Sequence, residues 1–158
     1  MNHSAHNFEV EMWPIDRPRD YPKNARKWSA KAVEKVASSI REYGWRQPVV
    51  VDAQEVIIIG HLRRTAGKSL GLTEVPVHVA RDLTPEQVRG LRLMDNRSHE
   101  EAGWDFELLG PELIDLQNLG FGLQLTGFDE QELTRAMMQS TDGLTDPDEC
   151  PPVPETPV

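Results

Sequence analysis

The most constraining stretch of this sequence is Val56-Ile-Ile-Ile-Gly60-His61-Leu62-Arg63-Arg64. Four consecutive β-branched apolar residues suit a strand buried on both faces. Gly60 lets the main chain turn without a Cβ. From about His61 to Leu70 the spacing is helical, closed by Gly71. A strand–glycine–helix unit leaves a helix N-terminus, with free N–H groups and a positive dipole end, beside a bare bend. Arg63 and Arg64 fall in that first turn, and a planar, permanently charged guanidinium suits phosphate oxygens. The unit therefore reads as an anion site without a Walker motif. The same spacing fits a plain strand–turn–helix with surface arginines equally well.

The flanking segments supply a small sheet and several helices. Phe8 to Trp13 alternates as a strand, and Pro14 to Lys27 reads as a loop. Ser29 suits an N-cap; Ala32, Val33, Val36, Ala37, Ile40 and Tyr43 then repeat at helical spacing before Gly44. Pro48 to Val51 and Val75 to Val79 are further strands. Thr84-Pro85-Glu86-Gln87 is a capping box with proline at the first helical position, opening a helix to about Asn96. Asp105 caps another helix, renewed at Pro111 and stopped near Gly120, and Asp129 opens a last one with Leu133, Ala136 and Met137 on one side. The expected fold is α+β: a small mixed β-sheet surrounded by helices. Residues 8–82 form its core, 83–139 a helical C-terminal extension, and 140–158 an acidic, Pro-rich linker or disordered tail.

The charge is split along the chain. Residues 1–82 carry 13 Lys and Arg against 10 Asp and Glu, whereas residues 83–158 carry 4 against 16. The front half can meet phosphates, and the back half would repel a nucleic-acid backbone. A solvated helix face followed by an acidic tail explains the same split. No run approaches the about 20 apolar residues that span a bilayer, and Met1 to Val10 has no secretory pattern. Cys150 is the single cysteine, so neither an internal disulfide nor a cysteine zinc site can form. A cytoplasmic protein with no membrane partner is expected.

Two clusters can complete the anion site. Asn24-Ala25-Arg26-Lys27 lies in the early loop, and Asp95-Asn96-Arg97 ends the capped helix. Asn suits base or ribose hydrogen bonds, Arg suits phosphate, and Asp suits a cation or hydroxyl. His99, Glu100, Glu101 and Asp105 are read as a solvated helix end rather than a metal cluster. A divalent ion, if bound, would bridge phosphates near Asp95 or Glu101. Trp13 and Trp104 are assigned to the core, while Trp28 and Trp45, beside basic residues, stay open as stacking candidates. His78, opposite Val77 and Val79, is read as a strand surface residue.

The ordered set of Asn24-Ala-Arg26, Tyr43-Gly44-Trp45, Gln47-Pro48-Val-Val-Val, Ile-Ile-Gly60-His61-Leu-Arg63-Arg64-Thr-Ala66 and Gly71-Leu-Thr-Glu-Val-Pro76-Val resembles the N-terminal domain of ParB-type partition proteins. That domain shares a superfamily fold with sulfiredoxin. The partition box reads Gly-Glu-Arg-Arg; here Gly60 and Arg63 match its ends, with His61 and Leu62 between. The sulfiredoxin cysteine position holds His61, so sulfinic-acid reduction is not implied. The form of Asp95-Asn96-Arg97, with Ala102-Gly-Trp104-Asp105 and Leu-Thr-Gly-Phe128-Asp129-Glu after it, is similar to the subgroup at the front of phage and prophage DNA modification methylases.

The resemblance implies a ParB/sulfiredoxin-like fold and a nucleotide- and DNA-associated binding module of an adenine or cytosine methyltransferase. It implies a phosphate- or nucleotide-binding set of Asn24, Arg26, Gln47, Gly60, His61, Arg63, Arg64, Asn96 and Arg97. The ligand would be a nucleoside triphosphate, CTP or ATP, with Mg2+, and the partners DNA and a C-terminal methyltransferase domain. The chain carries no Asp/Asn-Pro-Pro-aromatic methylase motif and is expected not to methylate DNA alone. It also shows no leucine-rich dimer domain and no helix-turn-helix block of the partition type. Two alternatives stand beside this reading. One is a nuclease or NTP-hydrolysing or phosphotransfer enzyme using His61, Asp95, Glu100 or Glu101. The other is a homodimerisation module built on Leu108, Leu109, Leu113, Ile114, Leu116 and Leu119.

Overall fold

The structure is a computed structural model; it describes residues 8–24, 26–101 and 103–141, the side chains of Glu101, Ser140 and Thr141 excepted. The elements are β1 (Glu11–Pro14), α1 (Ala30–Tyr43), β2 (Val49–Asp52), β3 (Ile57–Ile59), α2 (His61–Ser69), β4 (Glu74–Ala80), α3 (Pro85–Glu101), α4 (Phe106–Asn118), a 3-10 turn (Leu123–Thr126) and α5 (Glu130–Thr141). The expected α+β class is observed. The chain divides into two compact units, residues 1–102 and 103–158.

In the first unit the four strands lie in the order β1-β4-β2-β3. β2 and β4 run parallel, with Val49 opposite Val77 and Val51 opposite Val79; β1 and β3 pair antiparallel at the two edges. Both faces are covered, which explains the unbroken apolar run of β3. Ile57 joins Trp13, Ile15, Val49, Val51, Val75 and Val77 in one core. Ile58 turns the other way, with Ala80, Val88, Leu83 and Leu91. Ala37 and Ile40 of α1 pack on Ala66 of α2, and Trp45 belongs to both this cluster and the strand core.

The caps form as their chemistry dictates. Ser29 Oγ accepts from the Ala32 amide. Thr84 and Gln87 exchange bonds of 2.9 and 3.3 Å, and Asp129 and Glu132 do the same at 2.7 and 2.9 Å. Asp105 accepts from the Glu107 amide. The reciprocal bonds satisfy amides that lack intrahelical partners.

Several expectations need correction. α3 belongs with the sheet, not with the helical extension, because Val88 and Leu91 pack on the β3 side of it. It runs past Asn96 to Glu101: Asn96, Ser98 and His99 bond back to carbonyls of the preceding turn. β1 starts at Glu11, since Phe8 leaves the ladder and stacks on the His78 ring at 4.3 Å. α4 is continuous through Pro111, which forgoes only its own N–H bond. Trp104 is 63% exposed rather than core, with its ring edge-on to Phe128 at 5.0 Å. The Pro-rich run and Cys150 lie outside the described residues.

Two helical glycines are opposite in kind. A Cβ on Gly67 would sit 2.6 Å from Trp45 Cζ3 and 3.2 Å from Ile15 Cδ1, whereas a Cβ on Gly90 would meet nothing within 4 Å. Gly67→Ala is therefore expected to destabilise the fold by about 1–3 kcal/mol through overpacking. Gly90→Ala is expected to stabilise it by about 0.5–1 kcal/mol through helix propensity. Urea unfolding of both variants checks the pair of signs.

Candidate functional site

The site begins at the bend between β3 and α2. Gly60 adopts φ 104° and ψ 15°, a left-handed conformation that other residues take only with strain. A Cβ there would also lie 3.2 Å from Val49 Cγ2 and 3.3 Å from Val49 Cα. Glycine is thus demanded by both torsion and packing. As N-cap it offers no side chain, so no side-chain acceptor covers the first-turn amides of α2. They face a cleft of about 240 Å³.

Four segments wall the cleft. The early loop supplies Asn24, Arg26 and Trp28; α1 supplies Val36; the segment before β2 supplies Gln47; α3 supplies Asp95, Asn96 and His99. Ile58, Ile59, Gly60, His61, Leu62 and Arg63 form the remaining side. Asn24 Oδ1 accepts from the Arg26 amide at 3.2 Å. The Arg26 guanidinium donates to Asn96 Oδ1 at 3.3 Å, and the Asn96 amide donates to the Arg92 carbonyl. The three polar residues expected from two distant segments are thus joined in one wall.

Arg63 is half-buried in this cleft and, among the described residues, makes no hydrogen bond or ion pair. Burial pulls its pKa below the ordinary arginine range, and the Asp95 charge pulls it partly back. It is a partly desolvated cation whose hydrogen-bond donors are unspent. A charged hydrogen bond donated to an incoming anion is worth about 1.5–3 kcal/mol there. Arg64, one residue on, faces elsewhere. Its Nε donates to the Ile15 carbonyl at 2.8 Å and its Nη1 to Asp20 at 3.0 Å, with the side chain 7% exposed. Arg64 does not line the cleft where it was expected: its donors fasten the loop after β1 to α2. Arg97 also points away, paired with Glu100 at 2.9 Å.

His61 is buried, and its Nε2 accepts from the Tyr21 amide at 3.3 Å. That bond requires the proton on Nδ1. Burial lowers the imidazole pKa, while Asp20 opposes the shift. The ring lies 6.1 Å from Trp28. With Nε2 engaged by the main chain, His61 orders the loop rather than standing ready as a base. Asp95 is the one carboxylate lining the cleft, beside the Asn96 amide. One carboxylate plus ligand phosphates is a donor set that Mg2+ accepts. Among the described residues no group of three or more His, Cys, Asp or Glu is placed to hold a metal unaided. The Glu101 side chain lies outside the described residues.

Arg92 escaped the sequence reading. It is buried, donates to the Ile57 carbonyl at 3.1 Å, and stacks its guanidinium 3.8 Å over the Tyr21 ring. Its signal was its position one turn after Val88, on the inward face of α3. His99, set aside with a metal cluster, also lines the cleft. Trp45 is a core residue, its Nε1 bonded to the Gln47 carbonyl at 2.6 Å, whereas Trp28 faces the cleft.

These side chains separate two roles. Arg64→Ala should lower the unfolding free energy by about 1–3 kcal/mol, because it strands the Ile15 carbonyl. Arg63→Ala should stay within about 0.5 kcal/mol of wild type. The neutral His61 stabilises the fold fully above its ordinary value of 6.5, and that contribution is lost as the pH falls, because the unfolded chain takes the proton more readily. The melting temperature should therefore drop between pH 7 and 5.5, and His61→Gln should flatten that part of the profile.

Residues 1–97 match the ParB N-terminal domain, and residues 107–158 match the ParB-methyltransferase HTH domain. The second match identifies a helix-turn-helix of the methyltransferase-associated type in the segment expected as a helical extension without a helix-turn-helix of the partition type. The ParB-like nuclease domain-containing protein YnaK of Escherichia coli is 39% identical over 83 residues, 52% of this chain and 95% of YnaK. The chromosome-partitioning protein Spo0J of Thermus thermophilus is 34% identical over 92 residues, 56% of this chain but 34% of Spo0J. The chain thus spans about a third of that partition protein. The crystal structure of C-terminally truncated ParB from Caulobacter crescentus complexed with CTP-gamma-S superposes with a TM-score of 0.66 at 22% identity. It covers 82% of this chain and 77% of that one, a likeness of fold. No described helix is long and apolar enough to cross a membrane.

Proposed function

This chain belongs to the ParB N-terminal domain family, and from that premise we propose that it is a nucleotide- and DNA-associated binding module that positions a DNA-modifying methyltransferase. The observation that carries the proposal is the half-buried Arg63, without a partner among the described residues, beside the uncapped Gly60 bend. In this reading the phosphates of a nucleoside triphosphate, CTP or ATP, meet Arg63 and the first-turn amides of α2. Asn24, Arg26, Gln47 and Asn96 hold the sugar, base or further phosphates, and Trp28 offers a stacking face. Mg2+ would take Asp95 and phosphate oxygens and neutralise the phosphate charge. The Caulobacter protein's complex with CTP-gamma-S supports the ligand class. The ParB-methyltransferase match over 107–158 supports the partner.

The charge split distributes the work. Residues 103–141 contain Arg135 as their only Lys or Arg, against seven Asp and Glu. Arg135 lies 5.8 Å over the Phe106 ring. DNA phosphates would therefore meet the cationic first unit, while the acidic second unit suits a protein contact. A phosphate-cleaving reading draws on Asp95 and His99 lining the same cleft as Arg63, and YnaK carries a nuclease-domain name.

CTP or ATP with Mg2+ should raise the melting temperature of the full chain, and Arg63→Ala should abolish the rise. If no nucleotide shifts the wild type and no short duplex binds at low salt, the proposal fails. Turnover of nucleotide, or nicking of plasmid, that disappears in Asp95→Ala would establish the cleaving role instead.

A further inference from the structure

On the far side of the early loop we infer a second phosphate-binding subsite, a hollow of about 240 Å³ lined by Lys23, Arg89 and Arg92 with Asn24 and Asn96. It deepens the nucleotide and DNA reading, and rests on that reading only for the ligand's first phosphate. Three cations share this hollow, and no Asp or Glu lines it. Among the described residues Lys23 and Arg89 make no ion pair or hydrogen bond. Arg92 is clamped by the Ile57 carbonyl and the Tyr21 ring. Its Nη2 forms a long ion pair with Asp52 at 3.9 Å, beyond hydrogen-bond reach, and has no hydrogen-bond partner. Lys23 and Arg89 gather beside Arg92 with no carboxylate in the lining, and like charges repel one another, so the cluster favours an anion.

The ligand class follows from the shared wall. Asn24 and Asn96 line both this hollow and the Gly60–Arg63 cleft. A chain of phosphates that begins at Arg63 can pass the two amides and end among Lys23 and Arg89. The first cleft mixes polar groups with Val36, Leu62 and Trp28 and suits a nucleoside; the second sets three cations beside Tyr21 and Leu93 and suits a terminal phosphate. The phosphates can be those of a free nucleotide or of a nucleic-acid strand.

The test compares wild type, Lys23→Gln/Arg89→Gln, Lys23→Arg/Arg89→Lys and Arg63→Ala, all as the full chain. Both substituted side chains are exposed, and equal melting temperatures establish equal folding. The probes are inorganic tripolyphosphate, CTP with Mg2+, and a labelled duplex titrated between 50 and 200 mM salt. The charge-removing pair should weaken tripolyphosphate binding at least tenfold, and the charge-keeping pair should restore it. A matching loss on CTP assigns the subsite to a free nucleotide. A fall of about 1.8 in the duplex salt slope, about 0.9 for each of two phosphate contacts, assigns it to nucleic acid. Loss in the charge-removing pair with wild-type behaviour in Arg63→Ala would keep this subsite and sink the first. Wild-type strength and slope on every probe in the charge-removing pair, or no binding of any probe by wild type, overturns the inference.

Discussion

The structure turns on the close approach of Gly60 to Val49. A strand carrying Val49 at the centre of the sheet passes 3.3 Å from where a side chain at residue 60 would begin. Only a glycine in the left-handed region closes that gap, and this bend sets where α2 starts and which way its first turn faces. Successive helical residues point about 100° apart. Arg63 is thereby delivered to an open cleft and Arg64 to the protein interior. Two neighbouring arginines of identical chemistry acquire opposite duties from one backbone torsion.

The second organising element is the use of buried guanidinium groups as clamps. Arg64 holds the Ile15 carbonyl and Asp20; Arg92 holds the Ile57 carbonyl and covers Tyr21. The main chain between these anchors also bonds β3, through Arg19 to Glu55 and Ile57 to Arg19. His61 takes the Tyr21 amide. The early loop, rich in proline and charge, is therefore fixed against the sheet before any ligand arrives. A wall built in advance reduces the ordering cost of binding. It also explains why the Asn24–Arg26 segment reaches Asn96 across 70 positions of sequence.

Much of this was legible from residue order. The apolar run of β3, the glycine after it and the capping boxes at Thr84 and Asp129 follow from local rules that tertiary context did not override. Arg63 was legible because helix phase and a glycine bend are both local. Arg64 was not: the partners that absorb it, Ile15 and Asp20, lie more than 40 residues away. Arg92 was missed because a charge on an apolar helix face looks like surface until its carbonyl and aromatic partners are in place. Trp104 was misassigned because a tryptophan near a helix end can seal a core or stay outside, and sequence does not distinguish the two. The boundary at 102 was hidden because α3 begins with a strong start signal that resembles a new domain, whereas its inward face belongs to the sheet.

The central claim is that the Gly60 bend and Arg63 together receive an anionic ligand. The most direct measurement is nuclear magnetic resonance of 15N-labelled protein titrated with CTP and Mg2+, following the main-chain amides of residues 60–63 and the Arg63 Nε–H. The account predicts saturable shifts centred on these resonances, with the Arg64 Nε–H unchanged because it is already bonded to Ile15. Saturable shifts elsewhere that leave residues 60–63 and the Arg63 side chain unmoved would contradict it.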